Sequence, residues 1–564
     1  MFALAVSPLL PAYVLLIGAL LVLATGSGHE SRRQWFAVGI AVVSVLGLAI
    51  AAVDNRTATD MQPGSQSVTQ MHVLAEWVGE PVLVLRFPAF EPFVWVLMIS
   101  LLAIALAGRE TADRTPPLSL AALFVMAAAA YGLLLSGTYR TLALSLFLFD
   151  GTAALFMLCH QQPGRAVGRL LLGVLSSAAV LGLSQGVDVP LTGPLALGGM
   201  FTLLIWVRLG LYPLIESGAF PGPVPSLRLG WVTINLLVGL YLIPTGVAHW
   251  VVWLALATTV LHATLAWLEP NRERSLAHAA HTLAGGVLVM AAAGGDSQGA
   301  VAAASSILLG LVALSLTSAR LGSLSWPRSA VPPAGRSPAR CPAGRSPARC
   351  PAGRMWAYGP PFLATLALAG APLTLGWLGR GALYQTTWAA GAVGAIALVV
   401  IAEGAALSVL YRYWQLLLHD ASPKIRDGIW HPLGASVAAV PLLLPVVGPR
   451  LWSLLVSPQS VAGAAMSSAI GAWAGFAGPV LWALFLGYGR RWLLNGLLLW
   501  RQDLMGWLRL GWLARRVARA LDTLSRVLLR VRAIIEGEHY LAWAMLLAVC
   551  IGLLIAFNPS DIAH

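Results

Sequence analysis

Apolar residues run along this chain in blocks of about 18 or more, the length a helix needs to cross a bilayer. The blocks predict helices near 8–26, 34–53, 91–108, 117–137, 140–159, 165–185, 192–214, 225–246, 249–268, 275–294, 299–319, 357–379, 386–410, 432–454, 465–487 and 539–557. The first block has no basic stretch before it and no small-residue cleavage site after it, so it reads as a retained helix rather than a signal peptide. Basic residues collect in alternate connections: Arg32/Arg33, Arg109/Arg114, Arg165/Arg169, Arg272/Arg274, Arg320 to Arg354, and Arg412/Lys424/Arg426. The connections between, such as 186–191 and 295–298, carry few or none. Basic loops stay in the cytoplasm, which predicts an N-terminus outside it, in a bacterial plasma membrane.

Two stretches depart from this pattern. The connection 320–355 contains a tandem nine-residue repeat, AGRSPARCP, and seven arginines between Arg320 and Arg354. Its Pro, Gly and Ser content predicts a disordered cytoplasmic loop. In 488–536, Arg recurs at 490, 491, 501, 509, 515, 516, 519, 526, 530 and 532 among Leu, Trp and Val. That spacing predicts one or two amphipathic helices lying on the membrane face or along a partner subunit.

Composition supports a membrane protein: 58% of the 564 residues are hydrophobic and 10% charged, too few polar residues to cover a soluble domain. The four cysteines (Cys159, Cys341, Cys350, Cys550) form no C-x-x-C, so zinc or iron–sulfur ligation is not expected. No phosphate-binding glycine loop or dinucleotide fingerprint is present, so no cofactor and no catalytic redox centre is expected on this chain. The extramembrane loops hold no His-rich, Asp-rich or Ser/His/Asp cluster, which argues against a membrane enzyme or a lipid or sugar flippase. Nothing points to nucleic acid.

Ionisable residues inside apolar blocks are costly, so each is a candidate site. Asp150 falls mid-helix in LALSLFLFDGTAALFML and Arg208 falls within LLIWVRLGLYPL. Glu403 lies in VVIAEGAALSVL, His262, His278 and His281 near two adjacent spans, and Arg380 after LTLGWLG. Asp150 and Arg208, on separate helices, could neutralise each other; a static pair would only fix helix register. Glu403 could pair with Arg412. His278 and His281 share a helical face beside a basic loop, where satisfied interfacial histidines are common. After Arg208 the chain is interrupted by Pro213, Pro221, Pro223 and Pro225. Irregular backbone at membrane depth is tolerated where it lines a cavity or is packed in protein.

Over roughly 90–410 the chain resembles the antiporter-like, proton-translocating membrane subunits of respiratory complex I, membrane-bound hydrogenases and Mrp-type Na⁺/H⁺ antiporters. Asp150 stands where that family has a Glu in its fifth helix. Arg208, five residues before Pro213, stands where it has a Lys in the seventh. GPVPSLRL (222–229) is similar to its PTPVS start of the eighth helix. LAWLEPNRERSLAHAAHTLAGGVL (265–288) is similar to its approach to a Lys-Arg, Leu-Ala-Tyr-Ser helix. FLATLALAGAPLTLGWLGRGALY (362–384) resembles its Leu-Ala-Gly-x-Pro-Pro segment, with Arg380 on the terminal Lys. The segment 488–536 and the last helix are similar to the lateral helix of the largest complex I subunit.

The resemblance implies an all-α polytopic membrane protein of about 14–16 transmembrane helices, with inverted repeats and broken helices. The implied organisation is N-terminal helices (1–110), two antiporter-like repeats (111–268 and 269–430), C-terminal helices (431–487), a lateral helix (488–536) and a final span (537–564). The implied function is proton or Na⁺ translocation within a complex I-like or Mrp-like assembly, coupled to redox chemistry or ion exchange in other membrane subunits. The implied pathway residues are Asp150, Arg208, Arg380 and Asn235, with Glu403, His262 and His278 beside them.

The sequence also departs from the family. Asn235 stands where the eighth helix carries Lys or His, and Ser305 and Ser306 where the eleventh carries His and Lys. Trp-Leu-Pro is replaced by LIESGAFPG. Of 35 basic residues only Lys424 is a lysine. A buried Lys can lose its proton, whereas Arg stays charged. Arg208 and Arg380 can therefore hold a field but cannot relay a proton by releasing one. The alternative is a degenerate antiporter-like scaffold without its own ion pathway.

Overall fold

The computed structural model describes residues 9–25, 30–60, 70–77, 80–87, 92–109, 116–160, 162–183, 225–242, 249–269, 272–293, 297–320, 351–419, 429–443 and 473–489, with isolated positions between 516 and 530. Arg208 and the helices expected at 192–214 and 539–557 lie outside the described residues, as do 321–350 and most of 488–536.

The described chain is helical: α1 (Leu10–Ala24), α2 (Glu30–Asp60), α3 (Pro92–Gly108), α4 (Pro117–Leu134), α5 (Tyr139–Cys159), α6 (Pro163–Leu183), α7 (Pro225–Tyr241), α8 (His249–Leu268), α9 (Arg272–Ala292), α10 (Ser297–Arg320), α11 (Pro351–Ala369), α12 (Leu375–Ala389), α13 (Val393–His419), α14 (Trp430–Ala439) and α15 (473–489). Six described helices are long and apolar enough to span a bilayer, and several more are apolar but shorter. Wide apolar stripes remain exposed, as on α1 (Ile17, Leu20) and α5 (Leu148, Leu155). In lipid such a stripe needs no protein partner. The chain is an integral, multi-pass membrane protein.

One addition to the helical fold was not legible in the apolar blocks. Strands β1 (Gln70–Trp77) and β2 (Glu80–Phe87) pair antiparallel between α2 and α3. Leu85 of β2 also bridges Ser136, just beyond α4.

Helices α9 and α10 form the centre, almost wholly buried along their apolar lengths. α10 packs against α3, α7, α9, α11, α12 and α14. Small residues permit this: a Cβ on Gly379 of α12 would stand 2.2 Å from the backbone N of Ala303 on α10. Close backbone approach through small residues is how membrane helices gain packing contact.

The expected single helix at 357–379 is two helices. α11 ends at Ala369, and α12 begins at Leu375. Gly370 takes φ +71°, its N–H donates to Ala367 O, and the N–H of Ala371 donates to Leu366 O. This is a Schellman stop, followed by Pro372, which cannot continue a helix. Leu373 also lies at φ 71°, and Thr374 then caps α12, its hydroxyl accepting from the N–H of Trp377. Gly376 folds back against α11 so closely that a Cβ there would meet Ala367 O at 1.9 Å. The signals for both stop and restart stand in LAGAPLTLG, but the unbroken apolar run conceals them.

Candidate functional site

Asp150 lies in the middle of α5 with no exposed surface. The antiparallel α5–α6 pair brings Arg169 of α6 level with it, and Arg169 Nε stands 3.1 Å from Asp150 Oδ1. Gly173, one turn beyond Arg169, clears the space: a Cβ there would fall 2.8 Å from Asp150 Cβ. Arg169 also donates to Oδ1 of Asn235 on α7, whose own amide donates to Trp231 O at 2.8 Å. The guanidinium carbon lies 5.8 Å from both the Phe149 and Trp231 rings. A buried carboxylate, a buried guanidinium and a half-buried amide thus join three helices.

This corrects the place given to Arg169. Alternation of basic loops put it with Arg165 in a cytoplasmic connection; it is a buried helical residue, only 8% exposed. The observed cation beside Asp150 is Arg169.

A second centre forms across α12 and α13. Arg380 Nη1 stands 3.3 Å from Glu403 Oε2, and the Tyr384 hydroxyl donates to the same oxygen at 2.9 Å. Arg380 and Glu403 are both buried. The break between α11 and α12 positions the arginine, whose stem passes close to Gly370. Glu403 Oε1 faces Gly286 of α9, where a Cβ would stand 3.1 Å away, and has no hydrogen-bond partner. Arg380 Nη2 has none either.

Glu403 does not pair with Arg412, which lies about 13 Å further along α13 at 1.5 Å per residue. Arg412 donates to Ala266 O at 2.8 Å and to Ser275 Oγ at 3.1 Å, closing one end of the α8–α9 pair. Between these levels His262 of α8 meets His278 and His281 of α9. Nδ1 of His262 and Nδ1 of His278 are 3.0 Å apart. His281 stacks on His262 with ring centres 5.2 Å apart, and its Nδ1–H donates to Ala277 O at 2.6 Å. His262 and His281 are buried and His278 is half-buried, so the three rings satisfy one another between the two helices. Among the described residues no cluster of three or more His, Cys, Asp or Glu is arranged to hold a metal.

The structure thus gathers Asp150 with Asn235, Arg380 with Glu403, and His262 with His278. Ser305 and Ser306 are buried on α10, and Ser306 donates to Ala367 O at 3.3 Å. Sequence reasoning missed Arg169, Tyr384 and the role of Arg412. The available signal for Arg169 was its position: it is as far beyond the α5–α6 turn as Asp150 is before it, within a turn of helix.

Buried ion pairs join separate, small-residue-packed helices of a polytopic membrane protein, with a broken helix beside one of them. Solved structures share its fold. One chain of the Mrp complex from Dietzia sp. DQ12-45-1b aligns over 98% of this chain and 63% of its own, with TM-score 0.58 and 17% identity. One chain of the membrane-bound sulfane sulfur reductase, an archaeal respiratory membrane complex, aligns over 97% of this chain and 99% of its own, with TM-score 0.56 and 14% identity. This chain therefore spans less than two thirds of the Mrp chain's length. No family model and no curated protein sequence matches it.

Proposed function

We propose that this chain is a membrane subunit of a complex I-like or Mrp-like assembly and that it moves protons, or Na⁺, across the bilayer in concert with other membrane subunits. The observation that carries the reading is the pair of buried carboxylate centres. Asp150 with Arg169 and Asn235 falls in the first repeat expected from sequence (111–268). Glu403 with Arg380 and Tyr384 falls in the second (269–430). In each centre the arginine is a fixed charge and the carboxylate is the group able to exchange a proton. Release of a carboxylate from its arginine, driven by a charge shift in a neighbouring centre or subunit, would let it take up a proton. Re-pairing would expel it. Arg208 lies outside the described residues and belongs to the same pathway in this reading, as its family position implies.

The specific observation favouring a scaffold instead is that both cations are Arg, so neither can pass on a proton itself. The two readings separate in sealed vesicles made from native membranes. Asp150→Asn and Glu403→Gln should each abolish coupled ion uptake while the chain stays in its complex. Unchanged uptake in both variants would leave the scaffold. Purifying the complex intact tests the assembly: other antiporter, hydrogenase or quinone-reductase subunits should accompany the chain, and its isolation alone would overturn that part.

A further inference from the structure

Away from both ion-pair centres, the start of α2 and the end of α3 bring a cation, an orphaned amide oxygen and an apolar cavity together. Arg109, at the end of α3, sits in the corner formed by Trp35 of α2 and Trp430 of α14. The two rings stand at 83° with centres 5.6 Å apart, and the guanidinium carbon lies 3.7 and 3.8 Å from them. Trp35 is 49% exposed, so the corner lies at the surface. The rings hold the guanidinium by its charge and its flat face, but its N–H groups still need oxygen acceptors. Among the described residues none accepts a hydrogen bond from Arg109.

Adjoining the arginine through Gly108 is a cavity of about 30 Å³ between α2, α3, α4 and α7. Gln34 and Gly108 form its polar end, and Ala37, Ile104, Phe124 and Leu227 are among the apolar residues that line the rest. There is room for about two waters, but so apolar a lining offers them too few partners, and such cavities stay dry. Hydrocarbon suits it. Gln34 is only 6% exposed. Its Nε2 donates to Gly108 O at 2.9 Å, and its Oε1 has no hydrogen-bond partner. A buried acceptor left without a donor is costly, so this end of the cavity suits a hydroxyl.

We propose that this corner binds one acidic phospholipid with a glycerol headgroup. Its phosphate sits on Arg109, a headgroup hydroxyl donates to Gln34 Oε1, and a short length of one acyl chain enters the cavity. A guanidinium takes a phosphate through two parallel N–H···O bonds, and a fixed guanidinium loses little freedom in doing so. Arg32, exposed in the first turn of α2, adds to the positive field. Tryptophans collect at headgroup level, and basic pockets between membrane helices are where acidic headgroups lodge. The rest of the lipid has a surface to follow, because Phe36 and Val43, two turns apart on α2, are exposed. A soluble anion would use the arginine but neither the apolar cavity nor the orphaned amide oxygen. The site includes no residue of either ion-pair centre, so it stands whether or not the chain moves ions.

The test is native mass spectrometry of the full chain released from vesicles of phosphatidylglycerol and phosphatidylcholine in equal parts. Phosphatidylglycerol should be retained in preference to phosphatidylcholine. Arg109→Gln should weaken its retention about tenfold, the scale of one hydrogen bond to a charged group. Ala37→Leu fills the cavity and leaves Arg109 and both rings in place. It should weaken retention as well, and it serves where Arg109→Gln fails to fold. Asp150→Asn should retain the lipid as the wild type does. Equal retention of the two lipids would overturn the proposal, as would wild-type retention in either the Arg109→Gln or the Ala37→Leu protein. Inorganic phosphate added in excess should leave the lipid in place; its displacement by phosphate alone would make this a site for free anions and overturn the lipid.

Discussion

Arg169 on α6 stands 3.1 Å from Asp150 on α5 and also donates to Asn235 on α7, so one guanidinium holds three helices at a single level. The arrangement explains how a charged residue is accommodated mid-span. The carboxylate has a cation, the cation has a second acceptor, and two aromatic rings cover what remains.

Removing one partner of a buried pair strands the other. Arg169→Met should destabilise the protein by about 3–5 kcal/mol, the usual cost of an uncompensated buried charge. Asp150→Asn keeps an acceptor oxygen for the guanidinium and should lose less than Asp150→Ala. The double variant Asp150→Leu/Arg169→Met should recover much of the Arg169→Met loss. Thermal unfolding in detergent gives the order, and equal losses for Asn and Ala at 150 would refute it.

The second centre distinguishes charge from proton exchange. Tyr384→Phe removes a hydrogen bond to Glu403, a change of about 1.5–3 kcal/mol when the acceptor is charged. The Arg380 pair should persist. Arg380→Lys keeps the charge but substitutes a cation that can be deprotonated. Uptake should survive in Arg380→Lys and fail in Arg380→Gln. If Gln and Lys transport alike, the charge at 380 has no part in the pathway.

How far the sequence shows these centres depends on what each residue looks like along the chain. Asp150, Glu403 and Arg380 stand out because a charge interrupts or ends an apolar run, and the helices that carry Asp150 and Glu403 were legible from the same runs, whereas the one that carries Arg380 was not. Arg169 was hidden because it lies less than two turns into a helix that follows a short turn, close enough to Arg165 for a basic residue to look like a loop anchor. The stop at Gly370 was hidden by the apolar residues on both sides of it. The strand pair at 70–87 was hidden because its short segments resemble neither a span nor a basic loop. The pairing itself, which carboxylate meets which arginine, follows from helix packing and not from local pattern.

The break between α11 and α12 depends on close approach at Gly376. A methyl group at 1.9 Å from Ala367 O cannot be absorbed, so Gly376→Ala should prise the two half-helices apart and carry Arg380 away from Glu403. Gly132 in α4 has open space at the Cβ position, and Gly132→Ala should be neutral or stabilising by about 0.5–1 kcal/mol. Melting temperatures of the two variants should move in opposite directions or differ by many degrees. Similar values would mean that the break tolerates a side chain.

Arg109, at the end of α3, is held between two tryptophans, its guanidinium carbon 3.7 Å from the centre of the Trp35 ring and 3.8 Å from that of Trp430. Gln34 donates to Gly108 O at 2.9 Å beside it. The residue therefore ties α14 to α2 and α3, beyond the topological role its charge suggested. Lys would keep the charge but not the planar stacking surface, so the substitution is not conservative. Arg109→Lys should cost about 0.5–2 kcal/mol through the lost ring contacts. Trp430→Leu in the Arg109→Lys background should cost less than it does alone. Limited proteolysis near 429 reports the loosening of α14, and additive losses in the double variant would show that the three side chains act independently.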